Sequence, residues 1–248
     1  MLTEEILWLA PFVFILAGTV KGAIGIGLPT TVIAFLSLVT DPRVAVAVGL
    51  LSMVLSNIWQ VYREGDVVRT LRRFWPMASV TMVVLFCASF FAAAADGRVI
   101  LICTGIAIAI FAATSLVGQP PALPPPWERA GQIVSGTASG LMGGFTGIWA
   151  PPLLIFLLSL RLEKTDFVRT IGFLLLLGAL PLLAGYVVTG LMTKELFAMS
   201  VAMLIPTFLG FTIGERIRRA LNPARFQKSV LIFFLIMGLN MIRQAVWG

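Results

Sequence analysis

Apolar residues fill this chain in blocks, roughly 5–39, 43–62, 74–95, 98–117, 130–160, 167–189, 195–214 and 229–247. Each block is continuous and rich in Leu, Ile, Phe and Ala instead of alternating. That pattern predicts membrane-spanning helices and argues against a β-barrel. Two blocks have an odd length. A hydrocarbon core of about 30 Å needs about 20 helical residues. Blocks 5–39 and 130–160 exceed that, yet are too short for two full crossings and a turn. Each carries a glycine cluster in mid-run, followed by Pro29 or Pro151. Glycine weakens a helix interior and proline suits a first helical turn. Each block therefore predicts a hairpin of two short helices that folds back within the membrane.

The halves repeat. Residues 18-GTVKGAIG-25 align with 136-GTASGLMG-143 at an offset of 118, matching Gly18, Thr19, Gly22 and Gly25 to Gly136, Thr137, Gly140 and Gly143. Both stretches continue to a glycine and a proline, Gly27 with Pro29 and Gly147 with Pro151. Between them, 118-GQPPALPPPWERA-130 holds five prolines and reads as an extended linker. The expected organisation is a first membrane repeat over 1–117, a linker over 118–130 and a second repeat over 131–248. Each repeat is a broken hairpin followed by three transmembrane helices, in an all-α polytopic membrane protein.

Charge sets the orientation. The basic stretches 63–73, 161–169 and 216–228 all belong on the cytoplasmic side. Eight single crossings would put 63–73 opposite the other two. Hairpins that enter and leave on one side bring all three together with the linker, and place both termini outside. The halves then run in opposite directions, an inverted repeat of the kind found in transporters.

Composition narrows the function. The chain of 248 residues is 59% hydrophobic and 12% charged, with a net charge of +7 and no histidine. Basic residues between apolar blocks are juxtamembrane, so the positive charge does not indicate nucleic acid. The N-terminus MLTEE lacks the basic region of a cleaved signal. Cys87 and Cys103 show no CxxC spacing and read as small packing residues. No metal or cofactor is expected, and nothing resembles an ATP-binding Walker motif. With no histidine anywhere, and carboxylates only at block ends such as Glu5 and Glu195, an enzyme is not expected.

One ionisable residue stands deep in an apolar block. Lys21 is about sixteen residues from either end of its segment. At a helix centre a lysine costs about 2.5–3.5 kcal/mol, and an intramembrane charge is a functional candidate by default. Two glycine-rich tips entering from opposite sides would meet near the midplane. There the helix N-termini behind Pro29 and Pro151 would offer partial positive charge and free N–H groups. With Lys21 they make an anion site. Thr19, Thr137 and Ser139 would add hydroxyls, Ser139 standing where the first half has Lys21. On 43–62, Ser52, Ser56 and Gln60 recur every four residues with Asn57 alongside, a polar stripe expected to face the bundle. Trp59, Trp75 and Trp247 read as interface anchors, and Trp149 lies beside the second tip.

At these residues the chain resembles the TauE/SafE family of sulfite exporters. The resemblance rests on KGAIGIG followed by GLP, on SGLMGGFTGIWAPP, and on the length. It implies movement of sulfite, organosulfonates or related small anions across a bacterial inner membrane, often outward. Lys21, Gly22, Gly25, Gly27, Gly140, Gly143, Gly147 and Pro151 carry it. An anion channel built on the same site is the alternative.

Overall fold

Glycine ends several of the helices, and short polar side chains begin others. Asp41, Asp96 and Thr193 accept the backbone N–H of Arg43, Arg98 and Leu196 at 2.8, 2.7 and 3.3 Å, satisfying groups a helix start leaves free. Gly65, Gly118 and Gly190 adopt positive φ where chains leave helices. The computed structural model describes residues 4–118, 120–220 and 223–247. Among them run α1 (Glu4–Ile24), α2 (Leu28–Leu36), α3 (Pro42–Glu64), α4 (Val67–Ala94), α5 (Gly97–Val117), α6 (Glu128–Thr146), α7 (Ala150–Ser159), α8 (Lys164–Val188), α9 (Lys194–Ala202), α10 (Leu204–Ala220) and α11 (Pro223–Trp247). Among the described residues, seven stretches are long and apolar enough to cross a membrane, including α1 and the joined α9–α10 over Lys194–Ile217.

Both long blocks break, but not into two short helices. The first arms are long: α1 has 21 residues and α6 has 19, about 30 Å each at 1.5 Å per residue. The return arms α2 and α7, with 9 and 10 residues, are half that. The reason lies in the glycines, most of which stay helical and make close helix contacts. A Cβ at Gly18 or Gly22 would run into the carbonyl oxygen of Thr207 or Phe211 on α10; one at Gly210 or Gly214 would meet that of Ile15 or Thr19 on α1. Gly136, Gly140 and Gly144 likewise face α4. Such close backbone approach is how small residues hold membrane helices together, and it overrides glycine's weak helix propensity. Of the glycines in the two hairpin clusters, Gly25 (φ 91°), Gly27 (φ 97°) and Gly147 (φ 72°) have positive φ and end the helical runs.

The pairing of helices has a regular plan. α1 lies along α10 and α6 along α4, while α5 packs on α11 and α3 on α8. Ion pairs show what gathers at one end. Arg63 pairs with Glu215, Asp66 with Arg169 at 3.6 Å, and Arg73 with Glu128 at 2.8 Å. Arg161 donates to the Pro120 carbonyl at 2.8 Å in the linker. At the other end Arg43 bonds Asp41 and the Ala95 carbonyl, and Arg98 bonds the carbonyls of Ala245 and Val246. Residues 63–73, 161–169 and the linker thus share an end, with α1 arriving there and α6 departing from it. These basic stretches are mostly helix, not loop: α4 begins at Val67, α8 at Lys164, and α10 runs on to Ala220. Long cationic side chains let a helix continue past the apolar zone. Within the expected basic stretch 216–228, residues 221 and 222 lie outside the described residues, as do the side chains of 218–227, including Arg218, Arg219 and Arg225, and that of Lys164.

Candidate functional site

α1 carries Lys21 to within a turn of its broken end, where the Gly25 N–H still donates to the Lys21 carbonyl at 2.6 Å. The side chain is 3% exposed. Its ammonium donates to Oδ1 of Asn57 on α3, itself buried at 2% exposure. Among the described residues this neutral amide is the polar partner of Lys21, and no carboxylate pairs with it. Glu215, whose backbone N lies 3.1 Å from a Cβ built on Gly22, gives its carboxylate to Arg63. An ammonium has three donors. With one spent on Asn57, two remain in a buried place, where a charge demands a partner. Two unspent donors on a buried cation are the chemistry that an anionic partner would complement.

The polar stripe on α3 faces inward. Ser52, Ser56, Asn57 and Gln60 are all buried. Ser52 shares a hydrogen bond with Thr207 of α10 at 2.9 Å, and Gln60 donates to the Val168 carbonyl of α8 at 3.3 Å. These two tie helices together, while Asn57 serves the lysine. Thr19 donates to its own helix at Ile15, 2.8 Å away. Thr137 is half-buried on α6.

The second tip is a separate place. Gly147 packs on Val46 of α3 and Ile33 of α2. Val46 and Asn57 lie about 16 Å apart along α3, so the two tips flank α3 near its opposite ends instead of converging at one depth. Trp149 is fully buried, its ring held between Gly143 of α6 and Gly178 of α8. Its Nε1 and the Ser139 hydroxyl are buried without a hydrogen-bond partner among the described residues. Gly140 faces Val84 and Leu85 of α4. Lys21, Asn57, Gly22 and Gly25 therefore form one neighbourhood, and Gly143, Gly147 and Trp149 another.

Sequence reasoning passed over Gly178, which makes room for the Trp149 indole, and the Arg63–Glu215 pair. A lone glycine inside LLLLGALP was the available signal for the first. The second joins residues far apart in sequence and had none.

A family model described as "Sulfite exporter TauE/SafE" matches residues 10–241. No curated protein and no solved structure matches the chain.

Proposed function

Because the chain belongs to the sulfite exporter TauE/SafE family, we propose that it is a secondary transporter exporting a small sulfur-containing anion, with Lys21 as the anion's charge partner. Membership makes it an integral membrane transporter and not an enzyme. The observation that carries the finer reading is the buried Lys21 ammonium, whose polar partner among the described residues is the Asn57 amide, leaving two donors unspent there. Charge-assisted bonds to an oxyanion are stronger than neutral ones. Gly22 lets α1 pack closely on α10, and Gly25 turns the chain out of α1 one turn after Lys21. Trp149, Ser139 and Gly143 at the second tip are read as a further part of the path. The burial of Lys21, 3% exposed, favours an occluded site over the continuous pore of a channel.

Three features support two inverted units, 1–117 and 131–248, joined by the linker. The pairs α1–α10 and α6–α4 exchange under such an operation, α5–α11 and α3–α8 map onto themselves, and α1 and α6 run oppositely. The shared basic end is then cytoplasmic, in a bacterial inner membrane. A negative-inside potential favours anion exit by about 2.3 kcal/mol per charge per 100 mV.

The test is labelled sulfite flux in proteoliposomes. Unlabelled sulfite on the far side should accelerate uptake, as a carrier requires. Single-channel currents with no such acceleration would instead establish a pore.

A further inference from the structure

Two cross-ties join α3 to α10, and Lys21 lies at a level between them. The inner tie is the buried hydrogen bond of Ser52 with Thr207, 2.9 Å long. The outer tie, towards the basic end, is the ion pair of Arg63 with Glu215. Asn57, which accepts from the Lys21 ammonium, stands on α3 about 7.5 Å past Ser52 and about 9 Å short of Arg63, at 1.5 Å per residue. α10 brackets the same stretch of α1. A Cβ on Gly18 would meet the Thr207 carbonyl, and one on Gly22, the residue after Lys21, would lie 3.1 Å from the Glu215 backbone N. The ammonium therefore sits among α1, α3 and α10, with a hydroxyl pair on its inner side and an ion pair on its outer side.

The two ties differ in how easily they open. Ser52 and Thr207 are fully buried. The side chains of Arg63 and Glu215 are 42% and 24% exposed, and a pair so open to water contributes only about 0–1 kcal/mol. Of its two members, Arg63 is the one held in place. Arg169 donates to the carbonyl of the adjoining Glu64 at 3.1 Å and pairs with Asp66 at 3.6 Å, fixing the end of α3 to α8. Glu215 takes one guanidinium nitrogen of Arg63, Nη1. A guanidinium has five donors in a planar fork that matches an oxyanion as well as it matches a carboxylate, so an anion can reach Arg63 before Glu215 leaves. We propose that Arg63 captures the anion at the cytoplasmic mouth, and that Glu215 is a tethered competitor which must yield Arg63 before the anion passes inward to Lys21. This rests on the reading of Lys21 as the anion's partner. With Glu215 in place the mouth is neutral and shut. Its return to Arg63 behind the anion closes the mouth again.

The experiment measures the KM for labelled sulfite entering inside-out membrane vesicles that carry the full chain, since their outer face is the cytoplasmic one. Glu215→Gln frees Arg63 from its competitor and should lower KM by about three- to tenfold. Arg63→Gln removes the capturing charge and leaves a bare carboxylate at the mouth, so KM should rise by about tenfold or more. The double variant, with neither charge, should fall between the two. Both single variants lose the same tie, so a purely structural pair would move them in one direction. The split should also narrow as potassium chloride is added, because charges at an exposed mouth are screened. Shifts in the same direction, or a split that salt leaves untouched, would overturn the proposal and reduce the pair to a clamp between α3 and α10. Failure of the underlying Lys21 reading shows separately, as undiminished sulfite uptake in Lys21→Ala.

Discussion

Lys21 was legible in the sequence because a charge in an apolar block is conspicuous, and a lysine at lipid depth is costly. Its partner was only half legible. Asn57 stood in a polar stripe with Ser52, Ser56 and Gln60, but nothing in the spacing says which of the four meets α1. That depends on how α3 rotates against α1, which is settled by packing between distant segments. The pairing predicts a sharp asymmetry between two substitutions. Asn57→Asp would give the ammonium a resident carboxylate that competes with any incoming anion. It should insert and fold, yet lower sulfite affinity at least tenfold, since a hydrogen bond to a charged group contributes about 1.5–3 kcal/mol. Asn57→Ala removes one bond and leaves the cation free, so its loss should be clearly smaller. Equilibrium binding of labelled sulfite to purified protein decides this, and equal losses in the two variants would break the assignment.

At the scale of elements, the sequence located both hairpin breaks to within a few residues. Positive φ falls at Gly25, Gly27 and Gly147, and Pro29 and Pro151 lie in the first turn of the return arms. It misjudged the arms, because glycine has two uses and composition alone does not separate them. Gly18 and Gly22 remain in α1 and press against the α10 backbone; Gly25 faces open space in a conformation side chains avoid. The two classes should respond differently to substitution. Gly18→Val must push α10 away from α1, so the protein should melt at a markedly lower temperature in detergent or fail to assemble. Gly25→Ala meets no neighbour and should cost only the roughly 1–2 kcal/mol of a left-handed residue, leaving a folded protein with reduced flux. Equal melting temperatures for the two would show that α1 and α10 do not pack through Gly18.

For the whole molecule, the basic stretches indicated which ends belong together, and the structure gathers 63–73, 161–169 and the linker at one end. What they do not encode is depth. Both tips read as midplane features, yet their contacts fall near opposite ends of α3, because each first arm is long enough to run most of the way across. In a chain freed of Cys87 and Cys103, cysteines at Arg72 and Arg161 should react from the cytoplasmic side and one at Gln244 from the other. Labelling of Arg72 and Arg161 from opposite sides would end the inverted arrangement. The buried cation is the point on which the proposed transport depends, and flux by Lys21→Ala in proteoliposomes, at matched protein amounts, probes it most directly. The variant should insert and melt like the parent, since it loses a costly charge, while labelled sulfite flux falls by at least tenfold. Flux equal to that of the parent would contradict a site centred on Lys21 and leave the residue a structural pin between α1 and α3.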